Sequence, residues 1–289
     1  MKNKFLCAFC LFSVALLAQN AEPKLLGVTS EADLKKEPYA AWYVKNYDDY
    51  QPNQSLILTL KSIPLSNWAV KIFYGTWCGD TKREMPRMMK VLDQIGFPKS
   101  KITLIALDNQ GDMYKKSPTY EEKGLSVYRV PVFIFYENNK EIARINELPV
   151  ESTERDLLRI LKKQVYVPNY AAHAVVNNWL KQGLLSDENL SAAGMARQVK
   201  SVVISEGELN ACGYVLMARK EMQEAINLFR INANLFPKSV NCFDSLAEAY
   251  LKMGNKTRAI ATYEQALELD PTNKTTAEKL EKLKKESTN

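Results

Sequence analysis

Two apolar runs, Ala69 to Tyr74 and Ile102 to Leu107, flank the stretch Cys78 to Ile95, in which Met85, Met88, Met89 and Leu92 recur at helical spacing. Nearly continuous apolar runs predict buried strands, and the stretch between them predicts an amphipathic helix, so a strand-helix-strand unit is expected. A third run, Val132 to Tyr136, leads into Asn138-Asn139 and then Glu141 to Ile145, the pattern of a hairpin. Ser152, with Arg155-Asp156 and Leu157 behind it, predicts the start of a closing helix. Between the second strand and the hairpin, Asp108 to Gly124 is polar and longer than a bare connection needs. Two readings of it stand: a border to a site, or a surface loop holding a short helix.

Upstream, Tyr39, Trp42, Tyr43, Tyr47 and Tyr50 stand at near-helical spacing and predict an aromatic helix face packed on a neighbouring sheet. Downstream of Val165-Tyr166-Val167-Pro168 the pattern becomes helical throughout. Ala225 and Ala259, Phe229 and Tyr263, Pro237 and Pro271, and Gly213 and Ala247 each stand 34 residues apart. Small residues, aromatics and prolines at these positions resemble tetratricopeptide repeats, in which small side chains let paired helices approach and aromatics fill the gap between units. The first unit is degenerate, with Leu216 where the second has Tyr250 and Asn232 where the second has Ala266. Two repeats leave ends to cover, so Asn169 to Ser205 is expected to pack on the first and Thr275 to Lys285 to cap the second.

A chain of 289 residues with 46% hydrophobic content accommodates two cores. Met1 to Asn20 joins neither: Lys2 and Lys4 precede the apolar run Phe5 to Leu17, with the small residue Ala18 behind it, the pattern of a secretory signal peptide. The expected location is the periplasm or the medium, with no membrane span left after cleavage. The formal charge is +6 for the whole chain and +4 once Lys2 and Lys4 leave with the leader. Acidic and basic residues are interspersed, which gives no reason to expect a nucleic-acid partner. Cys7 and Cys10 leave with the leader too; Cys78, Cys212 and Cys242 remain. An odd number keeps at least one thiol free or paired with another molecule, and a disulfide between Cys212 and Cys242 stays open as an alternative to two core cysteines.

Cys78 is the natural candidate for the free thiol. It sits in Gly75-Thr76-Trp77-Cys78-Gly79-Asp80-Thr81, after a predicted strand and at the first turn of a predicted helix. Unpaired backbone N–H groups and the positive end of the helix dipole favour a thiolate there, the form that attacks disulfides. Asp80 works against that charge; Lys82 and Arg83 work for it.

This arrangement resembles the thioredoxin family over roughly Asn67 to Lys162. Trp77 precedes the cysteine, Pro86 follows it by eight residues in the helix, and Val130-Pro131 precedes the strand Val132 to Tyr136 where the family has a cis-proline. The resemblance implies an α/β thioredoxin fold, a central mixed sheet flanked by helices. It also implies a substrate groove formed by Trp77, Gly79, Val130 and Pro131, with Cys78 as nucleophile. Two departures qualify it: Thr81 replaces the second cysteine, and Ile72 occupies the place of the buried acid. The ending Cys-Gly-Asp-Thr is similar to single-cysteine variants, which form mixed disulfides and need an outside thiol for release. Thr81 could offset the missing sulfur by donating its hydroxyl hydrogen to the thiolate.

His173 is the sole histidine and lies beyond the predicted sheet region, expected at a surface or between domains. No Gly-rich phosphate loop or cysteine-pair metal spacing occurs, so no cofactor or metal is expected. The expected organisation is a signal peptide at 1–20, an extension at 21–66, a thioredoxin-like domain at 67–166 and a helical linker at 167–205. A repeat domain at 206–289 follows, with repeats at about 206–239 and 240–273 and a capping helix. The expected partners are a client protein bearing a disulfide or thiol, an external thiol reductant and a protein docked on the repeats. The alternative is a non-catalytic envelope scaffold.

Overall fold

The computed structural model describes residues 23–288, so the expected leader, with Cys7 and Cys10, lies outside the described residues. A five-stranded mixed sheet is built from β1 (Gly27–Thr29), β2 (Trp68–Tyr74), β3 (Ile102–Ala106), β4 (Val132–Glu137) and β5 (Lys140–Asn146), in the order β1-β3-β2-β4-β5. Only β2 and β3 run parallel, with Ile72 opposite Leu104. A parallel pair needs a crossover, and helix α4 (Gly79–Gln94) supplies it. The β4–β5 turn places Asn138 at φ 49° and Asn139 at φ 64°, the left-handed pair that a two-residue hairpin requires and that asparagine tolerates.

Strand β1 was not anticipated. Three residues are too few to leave a periodic signal, and its partner lies far along the chain: Gly27 pairs antiparallel with Ala106.

Alternation of side chains divides the sheet between two cores. Val70, Ile72, Tyr74, Leu104, Ala106, Phe133 and Phe135 point to one face, packed with α1 (Glu31–Leu34), α2 (Ala40–Asp49), α3 (Gln54–Lys61), α4 and α5 (Thr153–Leu161). Phe73, Ile105, Val132 and Ile134 point to the other, where Leu107, Val127 and Val130 from the long β3–β4 connection cover them. Helix α5 starts where Ser152 accepts the Arg155 N–H at 3.2 Å.

The aromatic face of α2 corrects one expectation, because it lies against helix α4 rather than directly on the sheet. Three of its tyrosines reach carboxylates: Tyr43 donates to Glu31 (3.1 Å), Tyr47 to Asp93 (2.7 Å) and, at the helix end, Tyr50 to Glu154 (2.9 Å). Bound to acids on other elements, the hydroxyls fix the helix while the rings fill the interior.

The helical region comprises α6 (Ala172–Lys181), α7 (Ala192–Val199), α8 (Glu206–Ala218), α9 (Met222–Leu235), α10 (Val240–Lys252), α11 (Lys256–Leu269) and α12 (Lys274–Thr288). Helices α8 and α9 form one hairpin and α10 and α11 a second; α7 packs on α9 and α12 on α11, covering both ends as expected. Close approach in the first hairpin depends on Gly213, where a Cβ would fall 2.5 Å from the Phe229 ring. Cys212 and Cys242 are free and buried, so the disulfide alternative falls.

The two regions share a core. Tyr128, from the β3–β4 connection, is buried among helical residues including Ala172, Val176 and Cys212, and its hydroxyl donates to Asn177 Oδ1 at 2.7 Å. Lys116 Nζ donates to Ala218 O at 2.6 Å, and Lys220 pairs with Asp112. The polar stretch 108–124, open between two readings from sequence, is therefore a bridge between regions.

Candidate functional site

Strand β2 ends at Tyr74, and the chain turns through Gly75-Thr76-Trp77 to place Cys78 as the N-cap of α4, with extended backbone at φ −93° and ψ 127°. The turn is closed by Cys78 N–H donating to Gly75 O (2.9 Å), and the helix begins with Lys82 N–H donating to Cys78 O (3.0 Å). Cys78 thus sits at the N-terminal end of a helix whose first N–H groups lack helical partners. Pro86 lies inside α4, where its ring removes one backbone hydrogen bond.

Cys78 Sγ donates to Val130 O at 3.2 Å, across the sheet end. The Val130-Pro131 peptide is cis, and Pro131 O accepts the Glu147 N–H at 2.7 Å. Cys78 and Val130-Pro131, far apart in sequence, are therefore brought together as the resemblance implied. Cys78 and Trp77 are half-buried and Gly79 is exposed, whereas Val130 and Pro131 are buried. The face open to another molecule is therefore the one at Gly79.

Trp77 Nε1 donates to Leu107 O at 2.8 Å, and its ring lies across Gly75, where a Cβ would fall 2.4 Å from Trp77 Cε2. This is a packed indole that walls the site. Thr81 is fully buried, and its hydroxyl oxygen accepts the Gly75 N–H at 3.4 Å, an engagement with the turn instead of the expected one with the sulfur. Arg83 is held by Glu84 (2.5 Å) and Asp80 (2.7 Å), and its affinity for its proton rises through the hydrogen bond to Glu84. Its charge is thus largely neutralised by carboxylates. Ile72 is buried in the helix-covered face.

Sequence reasoning missed a group beside this site. Arg129, one residue before Val130, donates from Nη1 to Glu147 (3.0 Å) and from Nη2 to Gly207 O (2.9 Å), and its guanidinium lies 4.2 Å from the Tyr170 ring centre. Tyr170 donates its hydroxyl to Glu147. A lone arginine between Tyr128 and Val130 was the available signal, since a charge inside an apolar run must find partners. Next to it His173, 6% exposed, lies edge-on to Tyr128 at 5.1 Å and stacked on Tyr170 at 5.4 Å. Burial, and then the positive charges of Arg129, Lys115 and Arg144, push the His173 imidazole down to about 3. It is an interdomain residue, as one of the two expectations had it, and not a surface one.

The other thiols are withdrawn from chemistry. Burial pushes the Cys212 thiol far up, and burial likewise pushes Cys242 up to about 12. Among the described residues no cluster of His, Cys, Asp and Glu could hold a metal ion, and no helix is long and apolar enough to cross a membrane. A cavity of about 330 Å³ lies between the β3–β4 connection and the first helices of the two hairpins, lined by Gly111, Tyr114, Tyr214, Met217, Ala218 and Lys252.

A family model for the tetratricopeptide repeat matches residues 245–273, which cover the second hairpin from within α10 through α11. No curated protein matches the chain. The repeat indicates a role in binding other proteins.

Proposed function

We propose that this chain is an exported thioredoxin-like protein that exchanges thiols and disulfides through Cys78 and docks a partner on its helical hairpins. The observation that carries the reading is the sulfur itself, carried by the N-cap residue of α4 and donating to the Val130 carbonyl at 3.2 Å. Strand order β1-β3-β2-β4-β5 with α4 as the β2–β3 crossover supports a thioredoxin fold. Residues 1–20 support export through their basic start and apolar run, to the periplasm or the medium.

In the first step the Cys78 thiolate attacks one sulfur of a client disulfide. A Cys78–client S–S bond forms, the client's own S–S bond breaks, and the departing client thiolate takes a proton from water. An external thiol, as its thiolate, then attacks the client sulfur of this mixed disulfide. The client leaves joined to the donor, and Cys78 is released as thiolate. With Thr81 in place of a second cysteine, release depends on that outside thiol.

A second reading, a scaffold without exchange chemistry, is favoured by one observation: Val130 and Pro131 are buried, which restricts access to the sulfur. Trapping decides between them. Incubating wild-type protein with a disulfide-bearing peptide and resolving the products without reductant should give a mixed disulfide that Cys78→Ser abolishes. Failure of wild-type protein to form any adduct would sink the exchange reading and leave the scaffold.

A further inference from the structure

Arg129 is fastened on three sides, and two of its anchors belong to the helical half of the chain. Its Nη1 reaches the Glu147 carboxylate just past β5, its Nη2 reaches Gly207 O in the first turn of α8, and its guanidinium plane stacks on Tyr170 ahead of α6. Tyr170 and the Pro131 carbonyl both bind Glu147, the former through the carboxylate and the latter through its backbone N–H at 2.7 Å. Residue 130, held between Arg129 and Pro131, carries the carbonyl that accepts the Cys78 thiol hydrogen. The space around the clamp is full: a Cβ on Gly207 would stand 3.1 Å from Arg129 Nη2.

We propose that Arg129 is a positioning residue that keeps the Cys78 thiol closed, holding the Val130 carbonyl over the sulfur and deriving its own position from α8 and Tyr170. The physical basis is that a guanidinium offers a rigid fork of donors, so fixing two of its arms and its face fixes the backbone it hangs from. Displacing α8 by a fraction of an ångström therefore reaches the sulfur through Gly207, Arg129 and Val130 in turn. Occupancy of the hairpins by a partner has a route to the thiol that involves no contact with it. The inference rests on Cys78 being the reactive group of the proposed function, but it concerns control of that thiol and not the identity of its client.

The test compares full-length wild type, Arg129→Gln and Gly207→Ala by the rate at which iodoacetamide modifies Cys78, followed by peptide mass spectrometry across pH 6 to 10. Gly207→Ala leaves every atom near Cys78 untouched and favours the helix by propensity, yet crowds Nη2. Both variants are expected to speed modification of Cys78 by about threefold or more, the scale of one lost hydrogen bond, with circular dichroism unchanged. An unchanged rate profile in Gly207→Ala overturns the proposal, also where Arg129→Gln fails to fold. Mixed-disulfide trapping by the wild type is scored separately: faster alkylation in the variants without trapping in the wild type sinks thiol exchange and leaves the clamp standing. Trapping with identical alkylation rates does the reverse.

Discussion

The Trp77 ring lies across Gly75, with Nε1 donating to Leu107 O at 2.8 Å, so the turn that presents Cys78 is roofed by its own neighbour. Gly75→Ala would drive a methyl group to 2.4 Å from Trp77 Cε2. The indole must swing away and give up its hydrogen bond, at a cost of about 1–3 kcal/mol. Urea denaturation should register that loss, and the freed wall beside Gly79 should raise the alkylation rate of Cys78.

Tyr128 joins the two halves by its ring and by its hydroxyl, and the two parts separate by substitution. Tyr128→Phe removes only the bond to Asn177 and should cost about 1 kcal/mol. Tyr128→Ala empties a site 1% exposed and should cost about 3 kcal/mol or more. Limited proteolysis within 162–170 should accelerate in the alanine variant alone.

Gly213 and Ala247 are equivalent by the 34-residue spacing but not by tolerance. Gly213→Ala would overlap the Phe229 ring at 2.5 Å and should destabilise the protein by about 1–3 kcal/mol, despite the helix-favouring change. Thermal unfolding followed by circular dichroism should show a lower midpoint.

His173 gives the protein a pH dependence that one residue can remove. Folded, the imidazole is pushed down to about 3 by burial and by Arg129, Lys115 and Arg144; unfolded, it titrates near 6.5. Between these values the unfolded chain binds the extra proton, so stability falls as pH drops through about 6.5 and continues to fall toward 3. The slope approaches about 1.4 kcal/mol per pH unit. This histidine is the only one in the chain, so its contribution is read as the difference between wild type and His173→Phe, which should flatten the curve between pH 5 and 7.

Native-state labelling should modify Cys78 first and leave Cys212 and Cys242 untouched until the protein unfolds. Burial holds both of the latter in the unreactive thiol form. Mass spectrometry of labelled peptides would read the order, and early modification of Cys212 would contradict its burial.

Sequence periodicity reached the elements whose signal is local. Strand β2, helix α4 and the Asn138-Asn139 turn each carry their pattern within a few residues, and the 34-residue spacing announced the hairpins before the second was matched. It failed where a residue's partner is remote. Gly27–Thr29 has no pattern of its own and becomes a strand only because Ile105 is beside it. The aromatics of α2 announced burial but pointed to a sheet where the helix packs on α4, and their acidic partners Glu31, Asp93 and Glu154 come from three separate elements. At the site, Cys78 and Pro131 were legible because each lies next to a strand end. Arg129, Glu147 and Tyr170 were not, since their meaning arises only when the helical half folds onto the sheet.

Tyr128 filling the interior of the opposite half has a consequence for how such a chain can change over generations. Repeats are often treated as cassettes that recombination can append or exchange. Here a swap of the hairpins would strip the lining from an aromatic side chain that the sheet half contributes, so the incoming unit would have to arrive already shaped to receive it. Exchange at this seam would require both halves to change together.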